Sequence, residues 1–406
     1  MRERPKGTPS YAIRKGAFVA EKKPLRFLIV NNYSRFASKD VFDGFMAAVR
    51  QDLNHHIMAY PVDVMQAWFS GDMVEHHITS TAVATRNEFT HAIFIGSAFL
   101  KDWVPNTIRK CGVKVAYWSL EDPHALDQNS RFMDLSDYYF TNERAVARQF
   151  EKADYLPTAG AHTVCVPPQV SLSELHLEDR EILENDVVFC GNVYPNRRKI
   201  LEPLLPHFQN HAIRFGIMGV FGLMGDDEKK SPLRNHIRGN FEGVVDHRWV
   251  VMAYGYSKFV INIERDPHWE YNEKFSTNRK YGVIGESLNP RAYEIALTGG
   301  GLQLIDESRK EIFEKGILEP GKHCVTYKGP EDMVEKILYY REHEAERRKI
   351  VRDARSHALA NHTYASRAKR MIDIINWKEG RREGIAKDVL AKIFSGQKVT
   401  AKGPAI

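Results

Sequence analysis

The sequence predicts an α/β protein made of two doubly wound units, each a parallel sheet covered by helices. Three observations carry that reading. Apolar runs of strand length alternate with helical patterns through both halves of the chain, the order that parallel sheets with crossover helices require. Several runs, among them His91–Ser97 and Val113–Ser119, are apolar almost throughout, as strands buried on both faces are. The 406 residues suffice for two cores, and a polar, acidic stretch at 169–185 separates the halves as a linker.

Residues 1–24 carry seven basic residues against Glu3 and Glu21, with three prolines, and read as a flexible basic tail. The first domain is 25–170. Leu25–Asn31 is its first strand, Asn32–Ser38 a polar loop that includes Tyr33, and 39–52 a helix; shorter patterns fill 57–85. After the strands at 91–97 and 113–119, Asp137–Asn142 feeds a helix from Glu143, and Thr163–Val166 closes the half before Pro167 and Pro168. Ligands of such sheets lie beyond the carboxyl ends of the strands. Glu121, Asp122 and His124 follow one such end, in a loop stiffened by Pro123.

The second domain, 171–376, opens on the strand Val187–Cys190. Gly191-Asn192 lets the backbone turn closely, and Arg197-Arg198-Lys199 opens a helix. Strands at Ile213–Gly216 and Phe259–Ile263 follow, with a glycine-rich charged loop at 220–240 and a helix at 246–257 between them. Residues 264–285, dense in charge and aromatics, read as a long insertion suited to a lid or an acceptor contact. Glu311–Lys315 is a short helix and His323–Tyr327 the last strand. From Pro330 the chain is helical almost to its end, with a solvent-facing helix of mixed charge at 341–356 and an amphipathic stretch at Lys387–Phe394.

The chain is organised around Gly285-Glu-Ser-Leu-Asn-Pro-Arg-Ala-Tyr-Glu294, which runs on to Asp306 as loop, helix, glycine turn and strand. Asn289 suits an N-cap and Pro290 the first helical position. Gly299–Gly301 end the helix, and Leu302–Ile305 form a buried strand. A helix start offers N–H groups and a positive dipole end to a phosphate, and Arg291 adds a guanidinium there. Glu286 and Glu294, with seven residues between them, bracket the turn and can accept hydrogen bonds from sugar or ribose hydroxyls.

This segment resembles the Glu-x7-Glu region of retaining GT-B glycosyltransferases of the family 4 type. Its form, Asn-Pro-Arg-x-Tyr-Glu followed by glycines and a strand, resembles the CgeB-like (spore-maturation-type) branch. Trp118-Ser-Leu-Glu-Asp-Pro-His124 with Tyr138-Tyr-Phe-Thr-Asn-Glu143, Asp186-Val-Val-Phe-Cys-Gly-Asn-Val-Tyr-Pro-Asn-Arg197, and His362-Thr-Tyr-Ala-Ser-Arg367 resemble further parts of that family, so the likeness spans about residues 25–375. It implies the GT-B fold: two Rossmann-like doubly wound domains facing across a cleft, with C-terminal helices crossing back. Segment 377–406 is the part expected to dock on the N-terminal domain.

The resemblance also implies a retaining, metal-independent glycosyl transfer from a nucleotide-diphosphate sugar, a UDP-sugar first among them, used as co-substrate with no cofactor. Donor binding falls to Glu294 on the ribose, to Arg197, Arg198, Asn289 and Arg291 on the diphosphate, and to the Gly191-Asn192 and Gly299-Gly300 turns. Glu286 is expected against the donor sugar. If the reaction inverts instead, Asp122 and His124 are the candidate bases. Glu121, Asn32 and Tyr33 lie on the acceptor side. The expected acceptor is a saccharide or surface-polymer precursor. The alternatives are a hydroxymethylated base in DNA, as phage enzymes of this architecture modify, a protein side chain, or a non-catalytic nucleotide- or glycan-binding role.

Bulk properties agree with an anionic ligand. Net charge is +6, with 43% apolar and 27% charged residues. Cys111, Cys165, Cys190 and Cys324 lack zinc or redox spacing and are expected as free thiols in a reducing compartment. His268 beside Asp266 and Glu270 has no second histidine nearby in sequence, so no metal site is expected. No apolar run reaches the length of a membrane span, and Arg14 and Lys15 interrupt the N-terminal stretch. A cytoplasmic protein is expected.

Overall fold

The computed structural model describes residues 25–30, 41, 44–48, 56–96, 100–219, 230–239, 245–266 and 278–380. Two parallel sheets account for its strands, as the alternating pattern predicts. The first contains β1 (Arg26–Val30), β2 (His56–Tyr60), β3 (His91–Ile95), β4 (Lys114–Ser119), β5 (Tyr138–Thr141) and β6 (Ala153–Tyr155), in the order β2-β1-β3-β4-β5-β6. The second contains β7 (Val187–Cys190), β8 (Phe215–Met218), β9 (Phe259–Asn262), β10 (Leu302–Asp306) and β11 (Val325–Tyr327), in the order β11-β10-β9-β7-β8. Chain direction across the second sheet reverses between β7 and β9. A crevice therefore opens there at the carboxyl ends, where doubly wound sheets take ligands.

The helices needed below are α1 (Arg144–Gln149), α2 (Pro195–Leu201), α3 (His247–Tyr256), α4 (Pro290–Thr298), α5 (Pro330–Glu342), α6 (Glu344–Asn361) and α7 (Tyr364–Lys378). α4 follows its sequence signals. The Asn289 side chain accepts from the Ala292 N–H, Pro290 is the first helical residue, and Gly299 closes the helix at φ 67°.

The chain returns to the first domain through α7, earlier than segment 377–406. Tyr364, Ala368, Met371, Ile372 and Ile375 recur at helical spacing and pack with Phe27, Ile29, Trp118 and Phe140 of the first sheet. The crossing is pinned by Arg367, only 4% exposed, whose Nε donates to the Pro157 and Thr158 carbonyls at 3.1 Å each. Residues 381–406, including Lys387–Phe394, lie outside the described residues, as do the tail 1–24 and residues 267–277 of the insertion.

Some local expectations are corrected. Thr163–Val166 is a turn region, and the strand that closes the first sheet is β6, too short to stand out as an apolar run. β8 sits two residues later than Ile213–Gly216. The linker contains a helix, Leu177–Leu183. Residues 310–313 form a 3-10 turn where a short helix at 311–315 is expected. α6 buries Arg347, Ile350, Val351, Ala354 and Ala358, so its charge pattern hides an inner face. Cys165, Cys190 and Cys324 are buried free thiols. Among the described residues no helix is long and apolar enough to cross a membrane.

If α7 is part of the first domain's core, Met371→Ala should cost about 2–5 kcal/mol in urea unfolding. Leu359→Ala, on the exposed side of α6 at 37% exposure, should stay within about 0.5 kcal/mol. Equal effects would contradict this packing.

Candidate active site

The loop that leads into α4 is held by carboxylates along its whole length. Four consecutive backbone N–H groups each donate to one. Glu286 and Ser287 donate to Glu143 Oε1 and Oε2 at 3.0 and 3.2 Å, Leu288 to Glu311 Oε2 at 2.7 Å, and Asn289 to Glu264 Oε1 at 3.1 Å. Glu143 caps α1 in the first domain, Glu264 follows β9 and Glu311 lies in the turn after β10. All three are buried, at 2%, 6% and 0% exposure. Arg309 closes the frame, donating to Gly285 O at 2.8 Å and Arg265 O at 2.6 Å. Burial pushes the Glu143 carboxyl from 4.5 up to about 7, and its backbone N–H partners offset only part of that rise.

The loop presents Glu286 between Arg148 of α1, which ion-pairs with its Oε2, and Lys310, 3.3 Å from its Oε1. Burial raises the Glu286 pKa, but these two cations outweigh it and hold the carboxyl below its ordinary range. Further on, Glu294 in the second turn of α4 has its Oε1 3.8 Å from His247 Nε2.

Two guanidiniums meet at the β7/β9 crevice. Arg197 donates from Nη1 to Asn192 O at 2.8 Å and from Nε to Ile263 O at 3.2 Å. Arg291 donates from Nη1 to Asn262 Oδ1 at 3.1 Å and also to Ile263 O at 3.4 Å. Both lie 5.6 Å from the Phe189 ring. Gly191, at φ 138°, makes the room, because a Cβ there would stand 2.5 Å from Arg291 Nη2. Among the described residues neither guanidinium has a carboxylate within ion-pair distance, although Arg197 is only 5% exposed. Burial first, then repulsion from Arg291, lowers the Arg197 pKa to about 9, so it stays charged at neutral pH. An uncompensated buried charge costs several kcal/mol. A dianionic ligand in the crevice would relieve two at once.

Across the cleft stands His124. Burial and the facing charges of Arg265, Arg309 and Arg197 keep its pKa well below the usual imidazole value, so it is neutral. Exposed Glu121 reaches Arg265 at 3.6 Å.

The comparisons with known proteins fit this geometry. Among solved structures, sucrose-phosphate synthase from Thermosynechococcus elongatus matches with a TM-score of 0.55 at 10% identity, over 88% of this chain and 100% of that one. HepE of Anabaena, in its structure in complex with UDP-glucose, matches with a TM-score of 0.56 at 10% identity, over 87% and 100%. At these identities the likeness speaks for the fold. Residues 197–373 match the family model described as Glycosyl transferase-like, a span that starts at Arg197 and includes Glu264, Glu286, Glu294 and Glu311. The spore protein CgeB of Bacillus subtilis (strain 168) is 23% identical over 266 residues, covering 66% of this chain and 76% of that protein. The chain is a CgeB-like GT-B glycosyltransferase.

In this glycosyltransferase the sequence-predicted residues separate into two groups. Glu286, Arg291, Glu294, Arg197, Gly191, Asn192 and His124 collect around the cleft and crevice. The others are placed elsewhere. The Arg198 side chain points away from the crevice to Glu202, Nε to Oε1 at 3.0 Å. Gly299 and Gly300 end α4 far from its start and serve packing; a Cβ on Gly300 would lie 2.3 Å from Gly255 O of α3, and one on Gly299 2.5 Å from Arg355 Cδ. Asn289 spends its amide inside the protein, capping Ala292 N and exchanging hydrogen bonds with Asn262. The helix start thus keeps few N–H groups for an anion, and the guanidiniums carry that charge. Asp122, 2% exposed, is saturated by Tyr139, Thr141 and Asn129 at 2.9, 2.7 and 3.1 Å. It shapes its loop from inside the domain and has no lone pair turned to the cleft. Asn32 and Tyr33 lie outside the described residues.

Sequence reasoning passed over Glu143, Glu264, Glu311, Arg148, Arg265, Arg309 and His247. Glu143 and Glu264 each follow directly on a strand's carboxyl end, the one signal that marks them.

The raised Glu143 pKa sets a pH dependence. The folded protein holds a proton on Glu143 between about pH 4.5 and 7 that the unfolded chain has released. This contribution is therefore full below pH 4.5 and is lost as pH rises through 7. Urea midpoints measured from pH 5 to 8 should fall less steeply in Glu143→Gln than in the wild type. Parallel curves would show that Glu143 does not titrate there.

Proposed function

We propose that this enzyme transfers a sugar from a nucleotide-diphosphate sugar, a UDP-sugar first among them, to a hydroxyl of a saccharide or surface-polymer precursor, with retention and without a metal ion. The observation that carries the reading is the Arg197–Arg291 pair at the switch point, two adjacent cations with no carboxylate partner within reach. A diphosphate supplies the missing charge. Its negative charge grows as the bond to the sugar breaks, and preformed guanidiniums stabilise that change most where water is excluded. HepE, which shares the fold, has been solved in complexes with UDP and with UDP-glucose, which supports a nucleotide-sugar in the same crevice here.

The remaining residues then take definite roles. Glu294 receives ribose hydroxyls. Glu286, negatively charged between Arg148 and Lys310, orients the donor sugar and favours positive charge at its anomeric carbon. The bond from that carbon to the diphosphate oxygen breaks, the acceptor oxygen bonds to the carbon on the same face, and the acceptor proton passes to the departing phosphate oxygen. No protein base is needed on this route, which agrees with an Asp122 saturated inside its own domain. Neutral His124 can donate or accept a hydrogen bond at the sugar from the first domain.

A thermal-shift screen of nucleotide-sugars and nucleoside diphosphates tests the reading. One donor should raise the midpoint of the wild type, and Glu294→Ala should abolish the shift. Arg291→Ala should weaken the matching diphosphate about 10- to 100-fold while leaving the far weaker binding of the bare nucleoside unchanged. No shift with any of them at millimolar ligand would sink the proposal.

A further inference from the structure

Glu294 and His247 face each other from two helices whose spacing is fixed at their other ends. Gly300, just past the end of α4, packs against Gly255 of α3 without room for a Cβ. At the start of α3, Asp246 caps the helix by accepting from Arg248 N at 2.8 Å, which sets His247 as the first helical residue. Its Nε2 comes to 3.8 Å from Glu294 Oε1, and both side chains are only 16% exposed. Cys190, Tyr254 and Arg291 lie close enough to Glu294 to share its field. Cys190 ends β7, so the pair stands beside the crevice that Arg197 and Arg291 line.

We propose that His247 is the positioning residue that makes this site read ribose in preference to 2′-deoxyribose. The inference rests on the donor reading above and deepens it. A carboxylate at the end of a three-bond side chain can turn freely unless something holds it. A ring N–H aimed at Oε1 fixes the carboxylate plane, so both of its oxygens face a ribose edge with two adjacent hydroxyls. A 2′-deoxyribose leaves one of those held lone pairs without a donor in a largely buried place. Such a loss, for a hydrogen bond to a charged group, is worth about 10- to 100-fold in affinity. Without His247 the carboxylate can turn to follow whichever hydroxyl remains, and the discrimination shrinks.

Titration calorimetry with UDP, ADP, GDP and their 2′-deoxy counterparts tests this. The wild type should bind one ribonucleotide about 10- to 100-fold more tightly than its deoxy form. His247→Leu should lower that ratio to about threefold or less while the diphosphate still binds, and His247→Gln, which keeps an N–H in place of Nε2, should restore most of it. His247→Gln carries the test if His247→Leu loses its ligand-free melting transition. A wild type that binds both forms alike overturns the inference, as does His247→Leu with the full wild-type ratio when Glu294→Ala has lost it. Either result leaves the donor site standing. A wild type that binds none of the six overturns the donor reading and this inference together.

Discussion

Four backbone N–H groups in a row, from Glu286 to Asn289, end on three buried carboxylates, and the rest of the site depends on that arrangement. A surface loop between a long insertion and a helix would ordinarily give these donors to water. Here each hydrogen bond has an ionisable acceptor in a low-dielectric place, worth about 1.5–3 kcal/mol apiece and expensive to break. The carboxylates are not isolated charges. Glu311 is bonded to Tyr155, and Glu264 stands 3.8 Å from Arg309. Burial still raises the pKa of all three, because each leaves water almost completely.

That frame changes where the positive charge for an anion comes from. A helix start with free N–H groups is a ready anion site, but in α4 the Asn289 cap and Glu264 consume part of that supply. The charge is delivered by Arg197 and Arg291, held over the same aromatic ring and sharing the Ile263 carbonyl. Guanidiniums suit this task better than ammonium groups. They stay protonated when buried beside each other, as Arg197 does with its pKa lowered only to about 9, and they hold a phosphate through two parallel donors.

Much of this was legible in the sequence where the signal is local. Asn289, Pro290 and Gly299 announce α4 because capping acts over three or four residues, and the alternation of strands and helices announces both sheets. The failures have a common physical cause. Arg197 and Arg198 look equivalent in a row of basic residues, yet one step of about 100° around α2 sends the first to Asn192 and the second to Glu202. The Gly299-Gly300 pair resembles a phosphate turn, but its purpose is set by Gly255 and Arg355, which only the fold brings near. Glu143 meets its partner loop 143 residues away, so no window of sequence contains both. Asp122 carries the residue type of a base, and only the surrounding Tyr139, Thr141 and Asn129 show that its lone pairs are spent.

The Glu143 contact also ties domain geometry to site geometry. Within one loop, residues 286 and 287 are held by the first domain through Glu143, whereas residues 288 and 289 are held by the second through Glu311 and Glu264. The same pattern recurs one turn into α4, where Gly160 of the first domain lies so close that a Cβ would be 3.2 Å from Glu294 N. Beyond it, α7 anchors the return crossing through Arg367. A rotation of one domain against the other cannot leave Glu286 in place, because its backbone is bonded to one side and its neighbours to the other. The stretch from Glu286 to Glu294 is therefore the shared edge of both domains. Any opening of the cleft must first break charge-assisted bonds at Glu143, which makes the loop and the cleft a single mechanical unit.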